Sequence, residues 1–261
     1  MSVEIQAKQY LGDRSLIKVM IEPEVGNIGR WAYMGCKALT EIWIPAGCAV
    51  AENVFEGCTS LERVMIYEAG GKGAAVNISP ELLACLIKAE PAECGEWIKT
   101  AADNELFIDK LDGWFPAFLS EDDFKGYDPF LAGGEEDYDN EDVARSNYGL
   151  SVRRNKLKMI YERFLTESRG SKLAGEKRPV LDKYIRDHAS EAFELLVIEI
   201  SRKTAYRSYF FENGLGEMLT KEEMLKMAGD DVSLKAMVLS ERIKNDQGSD
   251  EGGLEMLSIS I

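Results

Sequence analysis

Apolar residues recur at a nearly constant interval along the first 67 residues of the chain. Each set of three has the form L-x-x-I-x-I, and successive sets lie 23 and then 22 residues apart. Side chains alternate across a β-strand, so this spacing predicts short strands whose apolar residues point inward. One unit cannot bury such a face alone, and stacking of the units is therefore expected. The sets are Leu16, Val19 and Ile21; Leu39, Ile42 and Ile44; and Leu61, Val64 and Ile66.

The segments between these strands also match at an interval of 22 residues. A proline ends each strand, because proline has no amide hydrogen for the ladder. An aromatic residue is expected to fill the core beneath the return segment, and a glycine before each cysteine allows the backbone to bend. The matched positions are Pro23, Ile28, Gly29, Ala32, Tyr33, Gly35 and Cys36 with Pro45, Val50, Ala51, Val54, Phe55, Gly57 and Cys58.

The matched segments resemble the BspA-like leucine-rich repeats that are common in bacteria, and they read IGRWAYMGCKALTEIWIP and VAENVFEGCTSLERVMI. That family's pattern is roughly I-G-x-x-A-F-x-G-C-x-x-L-x-x-I-x-I-P, and the match covers about a fifth of the chain. Tyr33 stands where the family usually has phenylalanine. Residues 16–67 hold two full repeats and the opening strand of a third, whereas repeat arrays usually need about three units. The stack is therefore expected to depend on contacts with the rest of the chain.

A function of such a stack would come from the strand residues that point outward. They alternate with the inward residues, and all six are candidates for contact with a protein partner. Trp43 is the strongest of them, because exposed aromatic side chains anchor protein interfaces. The alternative for Trp43 is contact with the domain that follows the repeats. The six candidates are Lys18, Met20, Glu41, Trp43, Arg63 and Met65.

The rest of the chain shows helical spacing, so the predicted fold class is α+β. We expect a short leucine-rich-repeat stack at residues 1–76, an all-α helical-hairpin domain at 77–245 and a flexible tail at 246–261. Local signals mark several helix ends. They are Ser79 and Ser190 as N-caps, Thr220 with Glu223 as a capping box, and Asn213 with Gly214 as a helix end.

Residues 121–142 carry ten carboxylates and one lysine, a local net charge of −9. Carboxylate oxygens are the ligands that calcium prefers, and Asp137, Asp139 and Glu141 alternate in a way that suits a cation. The EF-hand pattern does not fit, because its glycine and its final glutamate are missing from the required positions. The favoured interpretation is a solvated acidic loop that pairs with the basic helix after Ser151. That helix carries Arg153, Arg154, Lys156 and Lys158.

A second resemblance covers Gly126–Tyr138, which reads GYDPFLAGGEEDY. The segment is similar to a motif in the helical C-terminal regions of some clostridial leucine-rich-repeat proteins. There the motif precedes a basic helix, as it does here. This resemblance implies a helical C-terminal region and assigns no activity to it.

Charge and cysteine content restrict the classes of partner and compartment. The chain has a net charge of −15 and a pI of about 4.7, which disfavours binding to nucleic acid or to an anionic membrane. Its five cysteines lack C-x-x-C spacing, and its single histidine is far from them in sequence. We interpret the cysteines as small buried residues in a reducing compartment. The sequence shows no signal peptide and no transmembrane run, so a cytoplasmic location is expected.

These observations favour a non-catalytic protein that binds or scaffolds another protein and needs no cofactor. The glycine clusters lack the phosphate-loop pattern, and the surroundings of His188 match no catalytic motif. Two alternatives stay open. One is a helical enzyme or metal-binding protein with a carboxylate site in residues 121–142, and the other is a structural subunit of a larger assembly.

Overall fold

Two parallel three-stranded sheets form the N-terminal region of the computed structural model, in which residues 3–68, 78–127, 141–167, 173, 175–199 and 202–248 are described. The chain visits the two sheets in turn, so each repeat adds one strand to each sheet. The register steps between neighbouring strands of the second sheet equal the sequence intervals of 23 and 22 residues. The first sheet has the order β1 (Val3–Ile5), β3 (Val25–Ile28) and β5 (Ala49–Val50), and the second has the order β2 (Lys18–Met20), β4 (Glu41–Pro45) and β6 (Arg63–Tyr67).

The three predicted strands are confirmed, but the repeat begins before residue 16, where we expected it to open. Residues 3–20 form a first coil, which is followed by coil 2 (21–43) and coil 3 (44–67). The amide of Tyr10 donates to the carbonyl of Ala32 at 2.8 Å, and the amide of Tyr33 donates to that of Val54 at 3.0 Å. Each coil is therefore bound to the next by the same backbone hydrogen bonds.

Inward side chains also repeat from coil to coil. The rings of Tyr10, Tyr33 and Phe55 stack at centroid distances of 5.1 and 5.9 Å. The left-handed backbone conformation that favours glycine occurs at the same place in every coil, and each turn would be strained with any other residue. These glycines are Gly12, Gly35 and Gly57, with φ values of 68°, 73° and 71°.

The five cysteines are free thiols, and four of them are buried. Cys58 donates its thiol hydrogen to the carbonyl of Tyr33 at 3.0 Å, and burial raises the pKa of this thiol to about 12. Cys36 makes the equivalent bond to Tyr10 one coil earlier. The prediction of small buried residues is confirmed for these four, and Cys48 is partly exposed. A buried neutral thiol is chemically inert, so the four buried cysteines serve the core.

Helices make up the remainder of the described chain, which divides into two compact units at residues 1–182 and 183–261. The first unit contains the sheets together with the first four helices, and the fifth helix runs across the boundary. The predicted boundary at residue 76 stays a prediction. The helices are α1 (Pro80–Ala89), α2 (Cys94–Thr100), α3 (Asn104–Ser120), α4 (Glu141–Glu167), α5 (Arg178–Asp187), α6 (Ala189–Ile198), α7 (Lys203–Glu212), α8 (Lys221–Met227) and α9 (Val232–Gly248).

Coil 3 is covered by the segment that joins α1 to α2 and by α2 itself. The amide of Asn53 donates to the carbonyl of Pro91 at 2.8 Å, where a further coil would otherwise supply the acceptor. Gly95 is needed at this contact, because a Cβ atom there would lie 2.0 Å from the carbonyl oxygen of Val50. The rest of the chain therefore contacts the stack at this end, and the dependence of the stack on that contact stays a prediction.

Most of the predicted helix signals are confirmed. The Ser79 hydroxyl accepts the amide of Leu82, and Thr220 forms both hydrogen bonds of its capping box. Ser190 is not the N-cap of α6, which begins at Ala189. The prediction was wrong because alanine, a strong helix former, extends the helix toward His188, where no side chain caps it.

In the second unit, one buried arginine joins three helices. The Arg207 guanidinium donates to the carbonyl of Leu196 near the end of α6 and to the Ser233 hydroxyl in α9. It also pairs with Asp231, which caps α9 by accepting the amide of Leu234 at 2.9 Å. Hydrogen bonds from Arg207 and Lys203 hold the pKa of the Asp231 carboxyl well below its usual range.

Candidate functional site

The six residues predicted as a binding surface lie together on the outer side of the second sheet, and we call this surface the strand face. Parallel register aligns them in two rows across β2, β4 and β6. One row is polar and the other is apolar. The polar row is Lys18, Glu41 and Arg63, and the apolar row is Met20, Trp43 and Met65.

Glu41 is the centre of the polar row and is only 8% exposed. Its carboxylate accepts the Trp43 indole N–H at 2.7 Å and an Arg63 N–H at 3.2 Å, and Lys18 Nζ lies 3.6 Å away. Burial acts to raise the pKa of this carboxyl, but these donors and cations outweigh it and leave the pKa below its ordinary value. Glu41 therefore holds its neighbours in place, and its carboxylate is largely occupied.

The apolar row becomes less exposed from coil 1 to coil 3. Met20 is 63% exposed, Trp43 is partly exposed and Met65 is buried. The ring of Trp43 lies 6.4 Å from that of Tyr67, whose hydroxyl donates to the carbonyl of Ile21. These contacts of Trp43 with Tyr67 and with Glu41 lie within the stack. A partner could reach the strand face most easily at Met20 and at the open part of Trp43.

Coil 1 carries further exposed apolar residues that the sequence pattern did not predict as part of a binding surface. Ile17 is exposed, as are Val3 and Leu11 on the same coil. A signal was present, because Ile17 stands where coils 2 and 3 have the polar residues Thr40 and Glu62. An apolar residue at a position that is polar in the other repeats indicates an exposed hydrophobic surface, which is typical of an interaction site.

The other end of the strand face is tied to α1. Arg63 Nε lies 3.5 Å from Glu81 Oε1, in the first turn of that helix. Ser79, the N-cap of the same helix, donates to Glu162 of α4 at 2.6 Å. The strand face is therefore closed at coil 3 by polar contacts and open at coil 1.

The start of the acidic run pairs with the basic helix, as the favoured interpretation predicted. Asp123 accepts Lys156 Nζ and Arg153 Nε, both at 2.8 Å, and Lys156 Nζ also donates to the carbonyl of Glu121 at 2.7 Å. Lys156 is 1% exposed. Burial acts to raise the pKa of the Asp123 carboxyl, but the two basic partners lower it overall. These groups stabilise the fold and form no open carboxylate site.

The alternative cation site in residues 121–142 falls largely outside the described residues. Asp137 and Asp139 lie outside the described residues, and Glu141 begins α4 with its side chain outside them. Within the described ranges, no group of three or more histidine, cysteine, aspartate or glutamate side chains could hold a metal ion.

A buried ion pair connects α3 with α4. Arg163 is fully buried, and its guanidinium donates to both carboxylate oxygens of Asp112 at 2.7 and 2.8 Å. Such a pair is strongly directional, and it fixes the relative position of the two helices. Asp112 and Arg163 therefore have a structural role in the packing of α3 against α4.

Comparison with protein-family models, with curated proteins and with solved structures finds no match to this chain. The resemblance to BspA-like leucine-rich repeats therefore stays a prediction. Among the helices of the described residues, none combines the length and apolar character needed to cross a membrane.

Proposed function

We propose that the protein binds another protein through the strand face. The observation that carries the proposal is the row formed by Met20 and Trp43, which offers a thioether and an indole ring to solvent on neighbouring strands. Aromatic residues and methionine are enriched at the centres of protein interfaces. A net charge of −15 favours a protein partner over nucleic acid.

The parallel sheet holds these side chains before any partner arrives. Trp43 is fixed by its hydrogen bond to Glu41, and β4 is paired on both edges. A preorganised surface loses little conformational freedom on binding, so a small number of contacts can give useful affinity. The strand face therefore suits a non-catalytic scaffolding role.

The test is affinity capture from a lysate of the source organism with the immobilised chain. Trp43→Ala should reduce partner recovery by about tenfold or more, because loss of an interface anchor costs about 2 kcal/mol. Leu106→Ala is the matched control, since Leu106 is 57% exposed on α3 and far from the strand face in sequence. Trp43→Phe keeps a ring and loses the bond to Glu41, so it should retain most of the recovery.

Equal recovery with wild type and with Trp43→Ala would contradict the proposal, provided that thermal melting shows both to be folded. Loss of recovery with Leu106→Ala would also contradict it, because the contact would then lie on the helices.

A further inference from the structure

Strand β2 is an edge strand of the second sheet, with β4 as its neighbour in the described chain. The carbonyl of Ile17 accepts the amide of Glu41 at 3.3 Å, and the amide of Ile21 donates to the carbonyl of Trp43 at 2.9 Å. In a parallel pair, alternate residues direct both backbone groups to the same side. Residues 17, 19 and 21 therefore face β4, and Lys18 and Met20 direct their N–H and C=O groups to the open edge.

Coil 1 has the backbone of an interior coil, yet no coil of the described residues lies against its outer side. A Cβ atom on Gly35 would meet Gly12 of coil 1 at 3.7 Å, whereas a Cβ atom on Gly12 would meet nothing within 4 Å. Four large apolar side chains are exposed on this one coil. They are Val3, Leu11, Ile17 and Met20. Exposed edges with apolar side chains pair readily with another strand.

The charge of coil 1 indicates what covers it. Residues 3–20 contain three basic and two acidic residues, a net charge of +1 in a chain of net charge −15. Two copies of such an acidic chain repel each other over most of their surface. Coil 1 lacks the excess negative charge that causes this repulsion, so a second copy can approach there at lower cost than elsewhere.

The backbone of β2 is complementary to itself. A two-fold axis at Val19 would set Lys18 of one copy opposite Met20 of the other, both at positions whose N–H and C=O groups face the edge. All of these groups are then paired across the axis, and neither lysine lies opposite the other. Coil 3 is already covered by Pro91 and Gly95, so this contact closes as a dimer and does not propagate.

We propose that two copies of the chain associate through antiparallel pairing of β2 with β2 of the second copy. The contact creates one six-stranded sheet and places two Trp43 side chains on a continuous strand face. The proposal does not rest on the binding of another protein. Trp43→Ala leaves the backbone of β2 intact, so it should reduce partner recovery without dissociating the dimer.

Sedimentation velocity of the full chain over a concentration series tests this pairing. The wild type should sediment as a concentration-dependent dimer. Met20→Lys sets two lysine pairs across the axis and should raise the dissociation constant about tenfold or more. Met20→Asp sets two aspartate–lysine pairs at the same positions, so its dissociation constant should stay within about threefold of wild type at low salt and rise with salt.

Met20 is 63% exposed, so neither variant disturbs the core, and Leu106→Lys on α3 is the matched control that should leave the dimer unchanged. A wild-type monomer at every concentration up to about 200 µM would overturn the proposal. Equal weakening by Met20→Lys and Met20→Asp would also overturn it, because the two-fold register at Val19 requires only the lysine variant to place like charges opposite each other.

One competing occupant of the edge is testable in the same series. Leu254, Leu257 and Ile259 repeat the apolar spacing of the strand sets, although the structure does not describe these residues. If Leu257→Asp dissociated the dimer and Met20→Lys did not, the C-terminal segment would be the contact and the β2 pairing would be wrong.

Discussion

Within residues 1–182, the three coils bury mainly apolar side chains, whereas α3 and α4 bury several charges. In the coils, Ile42 and Ile44 are fully buried, and in the neighbouring strand they pair with the equivalent residues Val64 and Ile66. Between the helices, Asp112 and Arg163 are buried as a pair. The coils repeat the same apolar contact from strand to strand, whereas α3 and α4 depend on an ion pair that has no equivalent elsewhere in them.

This difference decides how each region should respond to substitution. A repeated apolar contact can lose one member while its neighbours keep their own contacts. A buried ion pair has no equivalent elsewhere, and loss of one partner leaves the other charge in a low-dielectric interior. We therefore expect the substitution with the largest loss of stability to lie in the helices, although the coils contain the sequence repeat.

Asp112→Ala should destabilise the protein by about 3–5 kcal/mol, which is the usual cost of breaking a buried ion pair. The reason is that Arg163, which is fully buried, loses the carboxylate that accepts two of its N–H groups. Urea unfolding followed by circular dichroism measures the change.

The control is the double variant Asp112→Leu with Arg163→Met, which removes both charges and keeps the volume. It should recover all but about 1 kcal/mol of the loss. If Asp112→Ala cost less than about 1 kcal/mol, the contrast between the two regions would be wrong.

Leu39→Ala should cost about 3 kcal/mol, because the side chain is fully buried in coil 2 and its removal leaves a cavity. Leu16→Ala removes the equivalent residue of coil 1, which is only partly buried, and should cost about 1 kcal/mol in the monomer. Urea midpoints at low protein concentration compare the two. Equal losses would mean that coil 1 is covered on its outer side even in the monomer.

The repeat was predictable because an inward-facing apolar strand, which must be buried by its neighbours, returns every 22 or 23 residues. The part of coil 1 before residue 16 was missed because it departs from that pattern, with Asp13 standing where the other coils have Cys36 and Cys58. The first strand of each coil was missed as well, since β1, β3 and β5 are short and β5 has only two residues and shows no alternation. Short strands are defined by their partners more than by their own sequence.

The sequence predicted which residues form the strand face, but it did not predict how exposed their side chains are. Alternation along β4 and β6 places Glu41, Trp43, Arg63 and Met65 on one side, as expected. Their burial depends on Tyr67 and on Glu81, which approach from outside the alternating pattern. The Asp112–Arg163 pair joins residues 51 positions apart and occurs once, so no period indicates it.

Asp123→Asn should cost about 1.5–3 kcal/mol at neutral pH, because it weakens the charge-assisted hydrogen bonds from Lys156 and Arg153. The pKa of the Asp123 carboxyl is lowered from its ordinary value of 3.8. Its stabilising contribution is therefore complete above about pH 5 and is lost as the pH falls through the folded-state pKa.

The free energy of unfolding of wild type and Asp123→Asn should be measured from pH 7 down to pH 3. The difference between them should be constant near neutrality and should shrink in the acidic range. A difference that grew on acidification would contradict the assignment of Asp123 as an ionised partner of Lys156.

The smallest effects compare the same substitution in the two regions. Gly57→Ala should destabilise coil 3 by about 1–2 kcal/mol, because φ is 71° there and an L side chain is strained in that conformation. Gly113→Ala should stabilise α3 by about 0.5–1 kcal/mol, since Gly113 is exposed inside a helix and a Cβ atom would meet nothing within 4 Å.

Urea unfolding measures the change in the free energy of unfolding for both variants. Changes of opposite sign would show that backbone conformation governs the result, because both sites have room for a methyl group. The nearest atom to a Cβ on Gly57 is Gly35 Cα at 3.5 Å, an ordinary contact distance. A loss at both positions would mean instead that α3 bends at Gly113, close to Pro116, and needs the glycine there. The helix would then share with the coils a dependence on individual glycines, and the contrast between the two regions would be confined to their buried charges.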